Sequence, residues 1–343
     1  MAKRYCCPEC FGDVGLRGNI IPSLKSKQGT CSFCGTLNVP LVEPSQLADV
    51  FGALINIYER NDDGKLLVEW LKDDWNLFDH PAMDVAHAKE LLSEILDDGE
   101  IVRQYFAPSE SYISKGLEQW EKLRDEMMYR NRWFLDVEID LDQLRGHLAL
   151  LIASNLPHRW FRSRICVDDE DYPIDQMGAP PRRRASHGRA NPAGIPYLYL
   201  GSQPGTAVAE VRPHTGENAC VAQFDIPSIK AVDLRNPRKL VSPFILTDTT
   251  DIGRLRAALP FLERLGDELT RPVLPHGAAI DYIPSQYLCE FIKKSGFDGV
   301  IYRSSVSDGF NLALFDPEKA SCGSVARYNV SKVAVDVKPV KED

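Results

Sequence analysis

The chain has 343 residues, 44% of them apolar and 26% charged, with a net charge of −9. That length calls for two or three domains, no apolar run nears the roughly 20 residues that cross a bilayer, and the opening Met-Ala-Lys-Arg-Tyr-Cys-Cys lacks the apolar stretch of a secretory signal. The acidic balance repels phosphates, which argues against nucleic acid as a partner and leaves a soluble cytoplasmic protein as the expectation.

Residues 1–44 are rich in cysteine and turn formers. Cys6, Cys7, Cys10, Cys31 and Cys34 fall here, whereas Cys166, Cys220, Cys289 and Cys322 are scattered singly. A disulfide framework would be spread through the fold, so the clustering reads as metal binding in a reducing compartment. Cys7-Pro-Glu-Cys10 and Cys31-Ser-Phe-Cys34 form two Cys-x2-Cys knuckles. Each offers two thiolates on one side of a turn, and Gly35 can relax the backbone after the second. Four thiolates at about 2.3 Å fill a tetrahedral zinc site and leave no open position, so the ion is structural. Cys6 lies outside the spacing. A zinc ribbon this small folds on its metal.

Residues 45–155 read as an all-helical domain. Ser45 is placed to cap a helix running to about Tyr58, with Leu47, Val50, Phe51, Leu54 and Ile55 on one face. Further helices are predicted at Lys65–Trp75, Met83–Leu96, Ile113–Phe134 and Leu141–Ala153.

Residues 156–343 change to mixed β/α character. Short strands are predicted at Arg164–Val167, Tyr197–Leu200, Cys220–Ile226, Lys230–Leu234, Gly299–Tyr302 and Leu312–Phe315, with helices at Ile252–Leu265 and Ser285–Lys294. The Pro/Gly-rich stretch Tyr172–Gly194 reads as a long loop, functional or mobile, and Lys338–Asp343 as a frayed tail. Asp168-Asp169-Glu170-Asp171 and Arg182-Arg183-Arg184 read as solvated charge runs, and His187 and His214 as exposed loop residues.

Four segments of this domain suit a dinucleotide. Arg189, in His187-Gly188-Arg189-Ala190-Asn191-Pro192, offers a fork of donors to a diphosphate. Tyr199, in Leu198-Tyr199-Leu200, can stack on a nicotinamide ring. Glu210 closes Thr206-Ala207-Val208-Ala209-Glu210 on a short helix, where small and apolar neighbours would leave its carboxylate partly buried and aimed inward. Such a group can stabilise the oxocarbenium-like state of nicotinamide–ribose cleavage. Tyr302-Arg303-Ser304-Ser305 and Asn311-Leu312-Ala313-Leu314-Phe315 complete the set, with Ser304 adding a hydroxyl.

In this order the segments resemble the RES domain, over roughly residues 157–330. That family is named for its Arg, Glu and Ser, includes bacterial toxins that degrade NAD, and has a fold similar to diphtheria-toxin-type ADP-ribosyltransferases. The resemblance implies an α+β architecture and a catalytic group of Glu210, Arg189, Tyr199 and Ser304, with Ser305 an equal candidate for the serine. It implies NAD contacts from Arg164, Arg189, Tyr199, Ser305 and Asn311. Ala190 stands where the family often has an aromatic residue. The first 155 residues resemble an extension found on some RES proteins, a zinc-binding start and a HEPN-like helical domain. HEPN ribonucleases space an arginine and a histidine by four to six residues; Arg130, Arg132 and Arg145 have no histidine so placed. A regulatory or oligomerising role is therefore expected.

The expected function is cleavage of the nicotinamide–ribose bond of NAD, as a toxin or anti-phage effector. The alternatives are ADP-ribosyl transfer to a protein or nucleic acid, and a zinc-dependent nucleic-acid-binding or scaffold protein. Some transferases pair two acids two residues apart, and here Val208 and Arg212 flank Glu210 instead, which favours hydrolysis. Expected partners are NAD, an antitoxin or regulatory protein, and a second copy through the helical domain.

Overall fold

The computed structural model describes residues 3–167, 170–246, 248–274, 276–334 and 337. In chain order the regular elements are α1 (Ile21–Ser23), β1 (Lys27–Gly29), β2 (Val39–Leu41), α2 (Ala48–Ile55), β3 (Tyr58–Leu66), α3 (Leu67–Trp75), α4 (Val85–Leu96) and β4 (Tyr105–Pro108). Then come α5 (Gly116–Tyr129), α6 (Leu141–Leu150), β5 (Arg159–Ile165), β6 (Leu198–Gly201), α7 (Pro204–Glu210), β7 (Asn218–Asp225), β8 (Ala231–Asp233) and α8 (Pro237–Leu240). The chain continues with α9 (Thr249–Thr270), α10 (Ala278–Asp281), α11 (Ile283–Lys294), β9 (Gly299–Arg303), β10 (Phe310–Leu314) and β11 (Ser321–Asn329). Among the described residues, no helix is long and apolar enough to cross a membrane. The chain divides into two compact units, Met1–Glu121 with Asn236–Glu263, and Lys122–Arg235 with Arg264–Asp343.

In the first unit, β1 and β2 form a two-stranded antiparallel sheet in the cysteine-rich segment. Helix α3 buries Leu67, Val68, Leu71 and Trp75, the i, i+4 stripe of an amphipathic helix. Helix α4 buries Ala88, Leu91, Leu92 and Ile95 behind an Asp84 cap that accepts the His87 N–H at 2.9 Å. Two expectations need correction here. The helix expected from Ser45 is entered through a 3-10 turn, Pro44–Leu47, and the capping residue is Glu43. Proline takes the first helical position, where a missing N–H costs nothing, and this moves the cap back one residue beyond it. The region is also not all-helical, because β3 pairs with β4. Its strand signal is masked by the polar run Asn61-Asp62-Asp63, which bulges out of the ladder. Gly64 closes that bulge where a Cβ would run into the Phe106 carbonyl.

The second unit is built on a seven-stranded sheet of order β11-β7-β5-β6-β10-β9-β8, in which only the β8–β9 pair is parallel. This mixed α+β architecture is the one expected for the C-terminal half. Trp160, Leu198, Leu200, Ala222, Phe224, Leu312 and Leu314 form its apolar core. Strand alternation then turns Tyr199 of β6 to the opposite face from Leu198 and Leu200. Strand β5 pairs along all seven residues with β7 but meets β6 only at Phe161↔Gly201, so the sheet parts beyond that point. Strand β11 has no counterpart among the predicted strands. It is an edge strand, mostly exposed, and so carries no alternating apolar signal. The tail residues Lys338–Asp343 lie outside the described residues.

Candidate active site

The site is assembled where β5 and β6 part. A cavity of about 430 Å³ is lined by Arg162, Arg189, Tyr199, Glu210, Ser305 and Asn311, together with Tyr282 and Tyr302. The volume is that of an ordinary small-molecule pocket.

Arg189 rides on a loop held by Tyr199. The Tyr199 hydroxyl accepts the N–H groups of Ala190 at 2.9 Å and Asn191 at 3.2 Å, and donates to Asn191 Oδ1 at 2.7 Å. Burial pushes the pKa of this hydroxyl up, so the proton needed for that donation is retained at neutral pH. Gly188 is required at the turn, because a Cβ would stand 2.5 Å from Asn191 Oδ1 and 2.7 Å from the tyrosine oxygen. The Arg189 guanidinium donates to the Arg271 carbonyl at 2.8 Å and lies 5.3 Å from the centre of the Tyr282 ring. Arg271 is steadied by Glu268, a fully buried carboxylate that also pairs with Arg124 at 3.0 Å and Arg264 at 2.7 Å.

Glu210 is the last residue of α7. Close packing of this short helix on β6 depends on Gly201, where a Cβ would come within 2.8 Å of the Ala207 nitrogen. Glu210 Oε1 accepts from Ser304 Oγ at 2.7 Å and from Asn311 Nδ2 at 2.6 Å. Both donors are buried, whereas Glu210 itself is exposed to the open cavity and not partly buried. Ser304 and Ser305 thus take separate places: Ser304 holds the carboxylate, and Ser305 lines the cavity wall. Tyr302, buried alongside, has its pKa raised well above the usual phenol value by burial first, and then by the nearby Tyr199 and Glu210. Arg212, two residues past Glu210, lines the cavity in the left-handed backbone region with φ 50°.

Arg164 is not among the residues lining the cavity; its guanidinium sits over the Tyr172 ring at 5.3 Å. Arg162 lines it instead. Its Nη1 is buried with no hydrogen-bond partner among the described residues, and burial, then the charge of Arg164, lowers its pKa to about 10. Two arginines two residues apart on one strand are equivalent in a sequence. Only the parting of β5 from β6 separates them. Ala190 is wholly buried.

In the first unit the four knuckle thiols converge. Cys7 Sγ lies 3.5 Å from Cys34 Sγ, Cys10 Sγ lies 3.4 Å from Cys31 Sγ, and all four sulfurs fall within 4.8 Å of one another. A tetrahedron of thiolates around zinc has edges of about 3.8 Å, so the donor set fits such an ion. Gly35 follows the second knuckle at φ 74° and its N–H returns to the Cys31 carbonyl at 3.2 Å. Cys6 is turned away, its sulfur 3.7 Å from the Val42 carbonyl. A further group had no sequence signal. In the second unit Cys166 and Cys220 bring their sulfurs to 3.1 Å beside Asp171, which pairs with Arg327 at 3.5 Å. Asp168 and Asp169 of the acidic run lie outside the described residues.

A mixed, largely antiparallel sheet, with an arginine loop, a helix-borne glutamate and a serine brought to one cavity, defines an α+β domain with a pocket of small-molecule size. A family model, the RES domain, matches residues 159–334, just over half of the chain and the span from β5 to β11. The chain belongs to the RES domain family. Among solved structures, one similar chain comes from the crystal structure of the M. tuberculosis MbcT–MbcA toxin–antitoxin complex. It is 13% identical, with 56% of this chain and 96% of that chain covered and a TM-score of 0.34. No curated protein matches.

Proposed function

We propose that the second unit hydrolyses NAD at the bond between nicotinamide and ribose. The observation that carries this reading is the Glu210 carboxylate, held through one oxygen by Ser304 and Asn311 at a cavity that also presents Arg189 and Tyr199. In the reaction the C–N bond breaks with its electron pair going to the neutral nicotinamide. The ribose is left with oxocarbenium character, which a fixed carboxylate stabilises. Water attacks the anomeric carbon and releases one proton, giving ADP-ribose. The two donors on Oε1 orient Glu210 so that its other oxygen faces the ribose. Arg189 and Arg162 supply positive charge for the diphosphate. Loss of NAD would arrest the cell that holds the enzyme, the action of a toxin or defence effector. The four thiols of the first unit are read as a structural zinc site, which contributes folding energy there and takes no part in the reaction.

Incubation of the full chain with NAD is expected to release free nicotinamide, and Glu210→Ala to abolish that release by a factor of a hundred or more, on the order of a lost electrostatic stabiliser. With label in the ADP-ribose half, hydrolysis leaves all of it as a small molecule. Label retained on protein or nucleic acid would replace hydrolysis by transfer. No nicotinamide from the wild type would overturn the reading.

A further inference from the structure

We infer that Ser285 and Gln286, on the first turn of α11, are positioning residues that set the Arg189 loop from the side away from the cavity. This rests on the reading of Arg189 as an NAD contact. The fully buried Ser285 hydroxyl donates to the Arg189 carbonyl at 2.6 Å. Gln286 Nε2 donates to the Gly188 carbonyl at 2.8 Å. Neither residue lines the cavity.

The two carbonyls belong to consecutive residues, and the two N–H groups that follow, of Ala190 and Asn191, are taken by Tyr199. The loop is therefore gripped by β6 through its amides and by α11 through its carbonyls. Tyr282, which precedes α11, places its ring by the Arg189 guanidinium. One helix start thus meets both the backbone and the side chain of the same arginine. A loop is mobile unless its polar backbone is bonded, and a ligand-binding group displaced by a fraction of an ångström loses much of its effect. Ser285 and Gln286 remove that freedom before any ligand arrives.

Gln286→Glu tests this in the full chain. It keeps the side-chain shape but turns the donor facing Gly188 into an acceptor. A carboxyl against a carbonyl in a half-buried position titrates high, and protonation restores the donor. Amide exchange over residues 188–191 is expected to quicken about tenfold or more in Gln286→Glu and Ser285→Ala at neutral pH. NAD is expected to bind about tenfold more weakly, with KM affected more than kcat. The affinity of Gln286→Glu is expected to recover as the pH falls from 8 to 5, which the wild type does not show. Where that variant lowers the melting temperature, Gln286→Met, of similar length without the donor, decides by exchange alone. Unchanged exchange over 188–191 in variants that melt like the wild type overturns the proposal. So does an affinity loss in Gln286→Glu that matches Gln286→Met at every pH. If the wild type neither binds nor cleaves NAD, the proposed function falls, and the exchange measurement still decides whether α11 holds the loop.

Discussion

Ser304 and Glu210, 94 residues apart in the chain, share a hydrogen bond of 2.7 Å from the serine hydroxyl to Oε1 of the carboxylate. Asn311 reaches the same oxygen at 2.6 Å. Strands β9 and β10 are joined by the turn that follows Ser304, and Asn311 lies opposite Tyr302 in their register. One hairpin therefore delivers both donors to a carboxylate that the end of α7 supplies.

Removing one donor should leave the carboxylate present but poorly aimed. A hydrogen bond to a charged group contributes about 1.5–3 kcal/mol, and about 1.4 kcal/mol is tenfold in rate. Ser304→Ala is therefore expected to lower kcat for nicotinamide release roughly 10- to 100-fold, with NAD affinity little changed. A similar loss is expected for Asn311→Ala. If Ser304→Ala retained full kcat, Ser304 would have no part in orienting Glu210.

Tyr199 offers a sharper distinction. A ring that only stacked on nicotinamide would tolerate Tyr199→Phe. Here its hydroxyl takes two N–H groups and donates to Asn191, so the substitution takes the acceptor from the backbone N–H groups of Ala190 and Asn191, at about 1–3 kcal/mol for each buried group. Tyr199→Phe is expected to melt several degrees lower and to bind NAD more weakly; equal melting and binding would return the residue to a stacking role. The pH dependence follows from the same burial. The folded pKa values of Tyr199 and Tyr302 are raised above the unfolded value of about 10. Below that value both states are protonated and the stability is fully present. As pH rises beyond it, the unfolded chain releases these protons first, so stability is lost progressively toward the higher folded values. Equilibrium unfolding measured between pH 8 and 11.5 should show this fall beginning near 10.

Much of this architecture was legible because it is written in local spacing. The knuckles are close repeats, α3 and α4 follow a helical period, and Leu198-Tyr199-Leu200 alternates like a strand. What escaped depends on partners far along the chain. The edge strand β11 has little buried surface to pattern it. The pairing of β3 with β4 is hidden by a polar bulge. The choice between Arg162 and Arg164 is made by the separation of two strands, and the carbonyls that Ser285 and Gln286 hold are nearly a hundred residues upstream. A residue whose task is to hold another's backbone has no side-chain motif of its own.

The cysteine group gives a metal test. The purified chain is expected to hold about one tightly bound zinc in Cys7, Cys10, Cys31 and Cys34, as a closed four-thiolate site requires. Cys31→Ser is expected to lose it and to destabilise the cysteine-rich segment, because binding and folding are linked there. Cys6→Ser should leave the zinc content unchanged, since its sulfur points to the Val42 carbonyl. Elemental analysis after gel filtration reads both. Retention of the ion in Cys31→Ser would remove the knuckles as its ligands.

Arg162 gives the prediction with opposite signs in stability and binding. Its guanidinium is desolvated beside Arg164, one nitrogen has no hydrogen-bond partner among the described residues, and its folded pKa falls to about 10 from an ordinary value of 12.5. A base with a depressed folded pKa destabilises the fold wherever it is charged, which includes all of the neutral range, and the cost fades only as pH rises above the folded value. Arg162→Met, similar in length and neutral, should therefore raise the melting temperature by a few degrees, from an unpaired-charge cost on the order of 2 kcal/mol. The same substitution should weaken NAD binding at least tenfold, because the charge is one of the two, with Arg189, proposed to meet the diphosphate. Calorimetric melting and NAD titration on the same preparation separate the two effects. A variant that melts higher and binds equally well would show the arginine to be a strained bystander. One that melts lower would show that it has a partner in the folded chain.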